Sequence, residues 1–456
     1  MNTELPHSSY IPIIFGKTAI AFSKEKGQWL LANVDQQIGW PIKRVLVIYR
    51  GRKILLLPAT KSFHAVAAII TKDNTLEEGK TFLMQFLSAL AWYSPGRVNI
   101  IEWSNSSIQG ELNNYIRLPL NKRPGMGHQH FRPTELPDPK DPKAQLALAL
   151  FREGLSINHV GYSFLSFYKI INLRYHKDEK QKKWLIRSLP LIENLPHLKD
   201  LFKKIKSQHS DSVQYIYEAC RCAVAHASIK QTTYNPESIE DEIRFYEIHP
   251  IMIALAKLMI ENEFGIKATF TILREHLYEL DGFHQLLGEK ISQLLKAGEA
   301  LMPSEIKFNT KISLRLWNQP KLKAFENLKM TVITVNKGAV TLSLTRDDII
   351  KFQIILDFPK EKLIFDPTQP INFNDDGSKN AALSLSNAYK FYSEFMGNPV
   401  LEIWETKTNR ILGRLLEYIP SIRPGQPLPH VMKEQCLIKM KEWREKAKER
   451  VLSTKK

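Results

Sequence analysis

Cysteine is nearly absent: Cys220, Cys222 and Cys436 are the three in 456 residues. The first two are separated by one residue, a spacing that suits no mutual disulfide, and three thiols are too few for a zinc site. The chain therefore reads as a reduced, cytoplasmic protein with no structural metal and no cofactor. Long apolar runs are missing too. None approaches the roughly 20 residues that span a bilayer, and "MNTELPHSSYIPIIFG" lacks the basic and apolar regions of a signal peptide. There is no internal repeat. Acidic residues are in deficit, with 47 Asp and Glu against 64 Lys and Arg, a net +17. Such a balance favours polyanionic partners, nucleic acid before an anionic membrane surface. Residues 431–456 carry nine Lys or Arg against four Glu, a local +5, and the remaining residues keep +12.

What is present reads as a multidomain α+β protein. Residues 1–121 carry both kinds of period. "KRVLVIYRGRKILLLPA" is two apolar runs joined at Arg50-Gly51-Arg52, a hairpin signal. Thr75 and Glu78 stand at capping-box spacing before Phe82, Phe86 and Leu90. "RVNIIEW" predicts a further strand. Residues 122–142, "KRPGMGHQHFRPTELPDPKDP", have no period of either kind and read as a linker. From 143 to 298 the pattern is helical, with helices over 144–155, 162–175 and 211–227. A fourth, over 237–265, is kinked or broken before Pro250. Residues 299–430 switch to a period of two, with hairpins at Asn336-Lys337-Gly338 and Thr406–Asn409 and one amphipathic helix ending at Gly397. Residues 431–456 read as a basic, solvated helical tail.

One spacing carries possible chemistry. Arginine is followed five residues later by histidine at Arg123/His128, Arg221/His226 and Arg244/His249. The first lies in the linker, and bulky Phe245, Tyr246 and Pro250 surround the third. Only the middle pair sits among small residues (Ala219, Cys220, Cys222, Ala223, Ala225 and Ala227), which let another helix approach closely. A lone histidine among alanines is more often a buried core residue. On an α-helix, five residues amount to roughly 140° of rotation and about 7.5 Å of rise, so the two side chains would not share a stripe.

"FLSFYKIINL" (164–173), followed by "RCAVAHA" (221–227), resembles the HEPN domain, a helical module of prokaryotic toxins and defence ribonucleases. "LALALFREGL" and "SALAWYS" are similar, more narrowly, to the methylamine-utilisation J-type proteins, over roughly residues 20–260. The resemblance implies a helical HEPN-like bundle and a homodimer that pairs two Arg/His motifs around its symmetry axis. In that motif Arg221 and His226 match, while Cys222 departs from the usual polar residue after the arginine. The implied reaction is metal-independent cleavage of RNA by its own 2′-OH. His226 then moves protons and Arg221 stabilises charge on phosphorus.

Cys222 is a candidate substrate contact, and Lys169 and Arg152, on the two preceding helices, are candidate phosphate contacts, with surface positions as the plainer reading of the latter two. Phe164, Phe167 and Tyr168 read as core. The expectation is an endoribonuclease with RNA as partner, a toxin or anti-phage effector, with no membrane partner and with the terminal domains open to a protein or phage-derived trigger. The alternative is a non-catalytic HEPN-like RNA-binding or scaffold protein.

Overall fold

A computed structural model describes residues 8–10, 13–14, 16–41, 43–58, 64–70, 75–106, 135–226, 233–317, 319, 321–346, 349–367, 372–397, 400–416 and 427–453. The chain forms two compact units, residues 4–269 and 270–456.

The N-terminal unit begins with a sheet. Strands β1 (Ser8–Tyr10) and β2 (Ile13–Ile14) precede helix α1 (Lys17–Phe22). Then come β3 (Gln28–Gln36), β4 (Val45–Tyr49), β5 (Arg52–Leu57) and β6 (His64–Ile70). Helix α2 (Leu76–Tyr93), β7 (Val98–Ser106) and β8 (Glu135–Pro137) follow. Six strands pair antiparallel in the order β2-β4-β5-β6-β3-β7, and β1 pairs with β8. β3 lies inside the sheet and is buried along most of its length, as its continuous apolar run requires. The β4–β5 turn has positive φ at both Arg50 and Gly51, the left-handed pair that matches strand twist. Thr75 and Glu78 form the expected capping box on α2. The helix sets Phe82 and Phe86 against Tyr49 of the sheet, with ring centroids 6.0 and 5.5 Å away.

Residues 135–142, read from sequence as linker, are structured instead. Leu136 is fully buried, and the Tyr49 hydroxyl donates to the Pro137 carbonyl at 2.9 Å. Proline is tolerated there because β8 has a single pairing partner. The rest of the predicted linker, with Arg123 and His128, lies outside the described residues.

Helices complete this unit: α3 (Pro142–Ser156), α4 (Val160–Arg174), α5 (Asp178–Ile192), α6 (Lys199–Gln208), the single turns α7 (Ser212–Gln214) and α8 (Ala223–Ala225), and α9 (Ile239–Glu263). Two readings change here. Between α7 and α8 the chain is wound as a π-helix over Tyr215–Cys222, not as one α-helix over 211–227. And α9 runs through Pro250 unbroken. Phe245, Ile248, Ile251 and Met252 are fully buried on either side of that proline, so packing holds the helix together where one backbone bond is lost. Phe164, Phe167 and Tyr168 are core, as expected.

The C-terminal unit takes residues 270–298, which the sequence assigns to the central bundle. Helix α10 (Thr269–Arg274) leads to α11 (Asp281–Leu287) and α12 (Glu289–Lys296). Eight strands follow with one long helix among them: β9 (Lys311–Leu316), β10 (Leu328–Asn336), β11 (Ala339–Arg346), β12 (Ile350–Asp357), β13 (Lys362–Ile364), β14 (Asn372–Phe373), α13 (Lys379–Gly397), β15 (Val400–Glu405) and β16 (Arg410–Leu416). Seven pair antiparallel in the order β13-β12-β11-β10-β9-β15-β16, with β14 also on β12. Phe283 of α11 and Leu295 of α12 are fully buried in this core, which is why those helices belong to it. The basic tail is α14 (Pro429–Ser453). It is not a free appendage. Ala447 is buried, Trp443 meets Phe373 edge-on at 5.6 Å, and Ser386 of α13 donates to the Met440 carbonyl at 3.0 Å. Arg450 grips Asp375 through both Nη atoms at 2.7 and 2.6 Å. Among the described residues no helix is long and apolar enough to cross a membrane.

The two left-handed hairpin glycines separate backbone strain from crowding. Gly51 has φ +75° with open space around an added Cβ, whereas at Gly338 (φ +77°) a Cβ would lie 2.1 Å from the Leu295 carbonyl oxygen. Gly51→Ala should cost about 1–2 kcal/mol, the left-handed penalty alone. Gly338→Ala should cost distinctly more, and urea unfolding of both variants checks the order.

Candidate functional site

The π-wound segment owes its burial to Ile216, Tyr217, Cys220 and Cys222, which face the core against α4. Ala223 is buried as well. The small residues singled out in sequence therefore admit a neighbour from the same chain. Ala219 and Ala225 remain partly or fully exposed, and Ala227 lies outside the described residues.

The helix stops at His226, whose backbone is extended (φ −130°, ψ 123°). Its amide still donates to the Cys222 carbonyl at 3.0 Å, and the Tyr234 amide closes the end by donating to the Ala223 carbonyl. The extended backbone at His226 takes that residue off the helical path. Arg221 Nη1 consequently lies 3.4 Å from His226 Nε2. An α-helical spacing alone would not place the two on one stripe, and the long arginine side chain reaches across to the histidine.

Arg221 is braced on two further sides. Its Nη1 donates to Cys222 Sγ at 3.4 Å, so the thiol in the unusual slot acts as an acceptor. Its guanidinium lies 5.3 Å from the Tyr217 ring centroid, and Lys182 Nζ approaches the same ring at 4.5 Å. Lys182 also pairs with Glu218 at 3.2 Å. Burial pushes the Tyr168 phenol up, opposed by the positive charge of Arg221. Cys220 is inert: burial pushes its thiol up to about 12. His226 is exposed and Arg221 half-buried, so the pair offers a held cation beside an accessible imidazole. Sequence reading missed Tyr217 and Lys182. The aromatic residue four positions before Arg221 was the available signal, since such pairs share a helix face.

The other candidates do not gather here. Lys169 is exposed on α4, and among the described residues no hydrogen bond or ion pair joins it to Arg221 or His226. Arg152 lines a separate cavity beside α2. The Arg244/His249 pair is split between other partners. Arg244 pairs with Asp241 at 2.8 Å, and His249 Nε2 lies 2.7 Å from Ser163 Oγ. Among the described residues no group of three His, Cys, Asp or Glu side chains is arranged to hold a metal ion.

Residues 147–261 match the family model of methylamine utilization protein MauJ. That segment is MauJ-like. It runs from α3 into α9 and contains Arg221 and His226, but spans less than half the chain and leaves the N-terminal sheet outside. No curated protein and no solved structure matches the chain.

His249 supplies a pH test of this MauJ-like segment. Burial holds its imidazole below the ordinary value. Ser163 Oγ donates its one proton to the Gly154 carbonyl at 2.5 Å, which leaves His249 Nε2 as the donor to Ser163. The unfolded chain therefore takes up a proton first, near pH 6.5. Stability from this group is complete above about pH 6.5 and declines as the pH falls toward the folded-state pKa, by at most ~1.4 kcal/mol per unit. Unfolding free energies measured from about pH 8 to 5 should fall more steeply for wild type than for His249→Gln. Parallel curves would remove His249 as the source.

Proposed function

We propose that Arg221 and His226 are the catalytic pair of a metal-independent endoribonuclease with a HEPN-like helical fold. The observation that carries the reading is their approach to 3.4 Å on one exposed helix end. Of the three Arg-x4-His spacings, this is the one whose side chains meet among the described residues. RNA supplies its own nucleophile. A base removes the 2′-OH proton, the O2′–P bond forms, the P–O5′ bond breaks, and the departing 5′ oxygen receives a proton. His226 is the exposed proton carrier, and Arg221 stabilises the negative charge that builds on the phosphoryl oxygens. The bracing by Tyr217 favours this role, because a fixed cation loses no reorganisation energy as charge develops. One imidazole serves one side of the phosphorus, so a homodimer bringing two exposed His226 residues to one phosphate completes the acid–base pair. Ala225, exposed beside His226, would lie in that contact. A cytoplasmic toxin or anti-phage role is part of the same proposal.

Cys222 favours a second reading. It fills a hydrogen-bonding slot of Arg221 with a weakly polar thiol, which suits a MauJ-like segment that binds RNA, or serves as a scaffold, without cutting.

Cleavage assays on a panel of RNAs with excess EDTA decide between the two. His226→Ala should lower cleavage by about 10²–10⁴-fold and Arg221→Ala by about 10²–10³-fold, while Arg244→Ala retains it. Products should end in a 2′,3′-cyclic phosphate and a 5′-OH, and 2′-O-methylation at the cut position should block the reaction. Wild-type rates in both His226→Ala and Arg221→Ala would sink the catalytic reading. RNA binding lost in Arg221→Ala without any wild-type cleavage would support the second.

A further inference from the structure

A cavity of about 290 Å³ opens beside α2 and α3 within the N-terminal unit, apart from the Arg221/His226 pair. Its polar wall is internally satisfied. Arg50 is neutralised by Asp138, with Nε 2.5 Å from the carboxylate, and donates from Nη1 to Gln85 Oε1 at 2.7 Å. The Gln85 amide donates in turn to Gln145 Oε1 at 3.2 Å, and the Gln145 amide to the Pro139 carbonyl at 2.8 Å. That chain of bonds spends the wall's donors on its own acceptors.

Arg152 is the exception. It lines the same cavity from α3, its Nε is buried without a hydrogen-bond acceptor, and it forms no ion pair among the described residues. Partial burial of this guanidinium, offset only by the charge of the neighbouring Glu153, costs free energy in the empty protein. That cost is recovered when an anion enters. Met84 and Leu146, both exposed at the surface, supply apolar lining.

We propose that this cavity binds a small monoanionic carboxylate with an apolar body, the carboxylate paired with Arg152 and the body against Met84 and Leu146. The planar guanidinium matches a carboxylate with two parallel hydrogen bonds. One cation without an ion pair among the described residues suits one negative charge. A phosphate dianion would find no second cation without an ion pair among the described lining residues, since Arg50 is held by Asp138. The volume lies near the lower end of small-molecule sites, which sets the ligand's size.

Hexanoate and benzoate are the probes, with hexanamide as the uncharged analogue and inorganic phosphate as the other anion. Both carboxylates should raise the melting temperature of the full-length protein in a saturable way and give a binding isotherm by calorimetry. Hexanamide should bind at least about tenfold more weakly, as loss of a charge-assisted pair requires, and phosphate should give no saturable shift. Arg152→Met keeps the length of the side chain without its charge. It should melt no lower than wild type when empty and lose the hexanoate response, while Arg221→Ala should bind hexanoate as wild type does. The hexanamide comparison uses wild-type protein alone, so it holds whatever the variant does. No saturable carboxylate binding, equal binding of hexanoate and hexanamide, or stronger binding of phosphate would each overturn the proposal. None of these outcomes bears on RNA cleavage.

Discussion

Three aromatic residues on one helix hold the helical part of the N-terminal unit together. Phe164, Phe167 and Tyr168 of α4 are fully buried, and each meets a ring from a different neighbour. Phe167 stands 5.4 Å from Phe151 of α3, Phe164 5.4 Å from Phe245 of α9, and Tyr168 6.4 Å from Tyr217 of the π-wound segment. A Cβ on Gly154 would fall 2.7 Å from the Phe167 ring, so α3 closes on α4 at a position only glycine allows. Edge-to-face pairs of this kind add about 0.5–1.5 kcal/mol each beyond the apolar area they bury. Their larger effect is positional. Tyr217 is held by α4, Arg221 lies against Tyr217, and His226 meets Arg221, so the candidate site inherits its geometry from the core.

Features governed by neighbouring residues were legible in the sequence. Arg50-Gly51 and Lys337-Gly338 turn the chain because a left-handed glycine suffices for a hairpin, and the Thr75–Glu78 capping box needs four residues only. The three-part pattern of sheet, helices and sheet followed from the change of hydrophobic period. The π-winding was not legible. The apolar residues of this stretch can be read at an α-helical period, which hides it. Arg221 and His226 were found by spacing and resemblance, yet they meet where the helix ends and the backbone turns extended at His226.

Two other differences share a cause. A helical period announces a buried face without naming the core that buries it. Residues 270–298 have the period of the central helices and pack with the strands that follow. In the C-terminal helix, polar composition concealed a stripe at Cys436, Met440, Trp443 and Ala447, spaced as one helix face, which lies against the C-terminal core. Its charge is partly spent there too, since Arg450 neutralises Asp375. A basic composition measured over the whole chain therefore overstates the positive surface free to meet a polyanion.

That packing has a consequence for how the protein is made. α14 covers α13, yet about a hundred and sixty positions separate it from the last residue of the N-terminal unit. At roughly 5–20 residues per second, a ribosome needs on the order of ten seconds or more to cross that interval. For the last part of it, the roughly thirty positions between the end of α13 and the start of α14, the face of α13 that α14 will cover has no cover from that helix. The C-terminal unit must wait for α14, while the earlier unit has every residue it needs to fold as it emerges. During synthesis, the window for misassociation belongs to the C-terminal half.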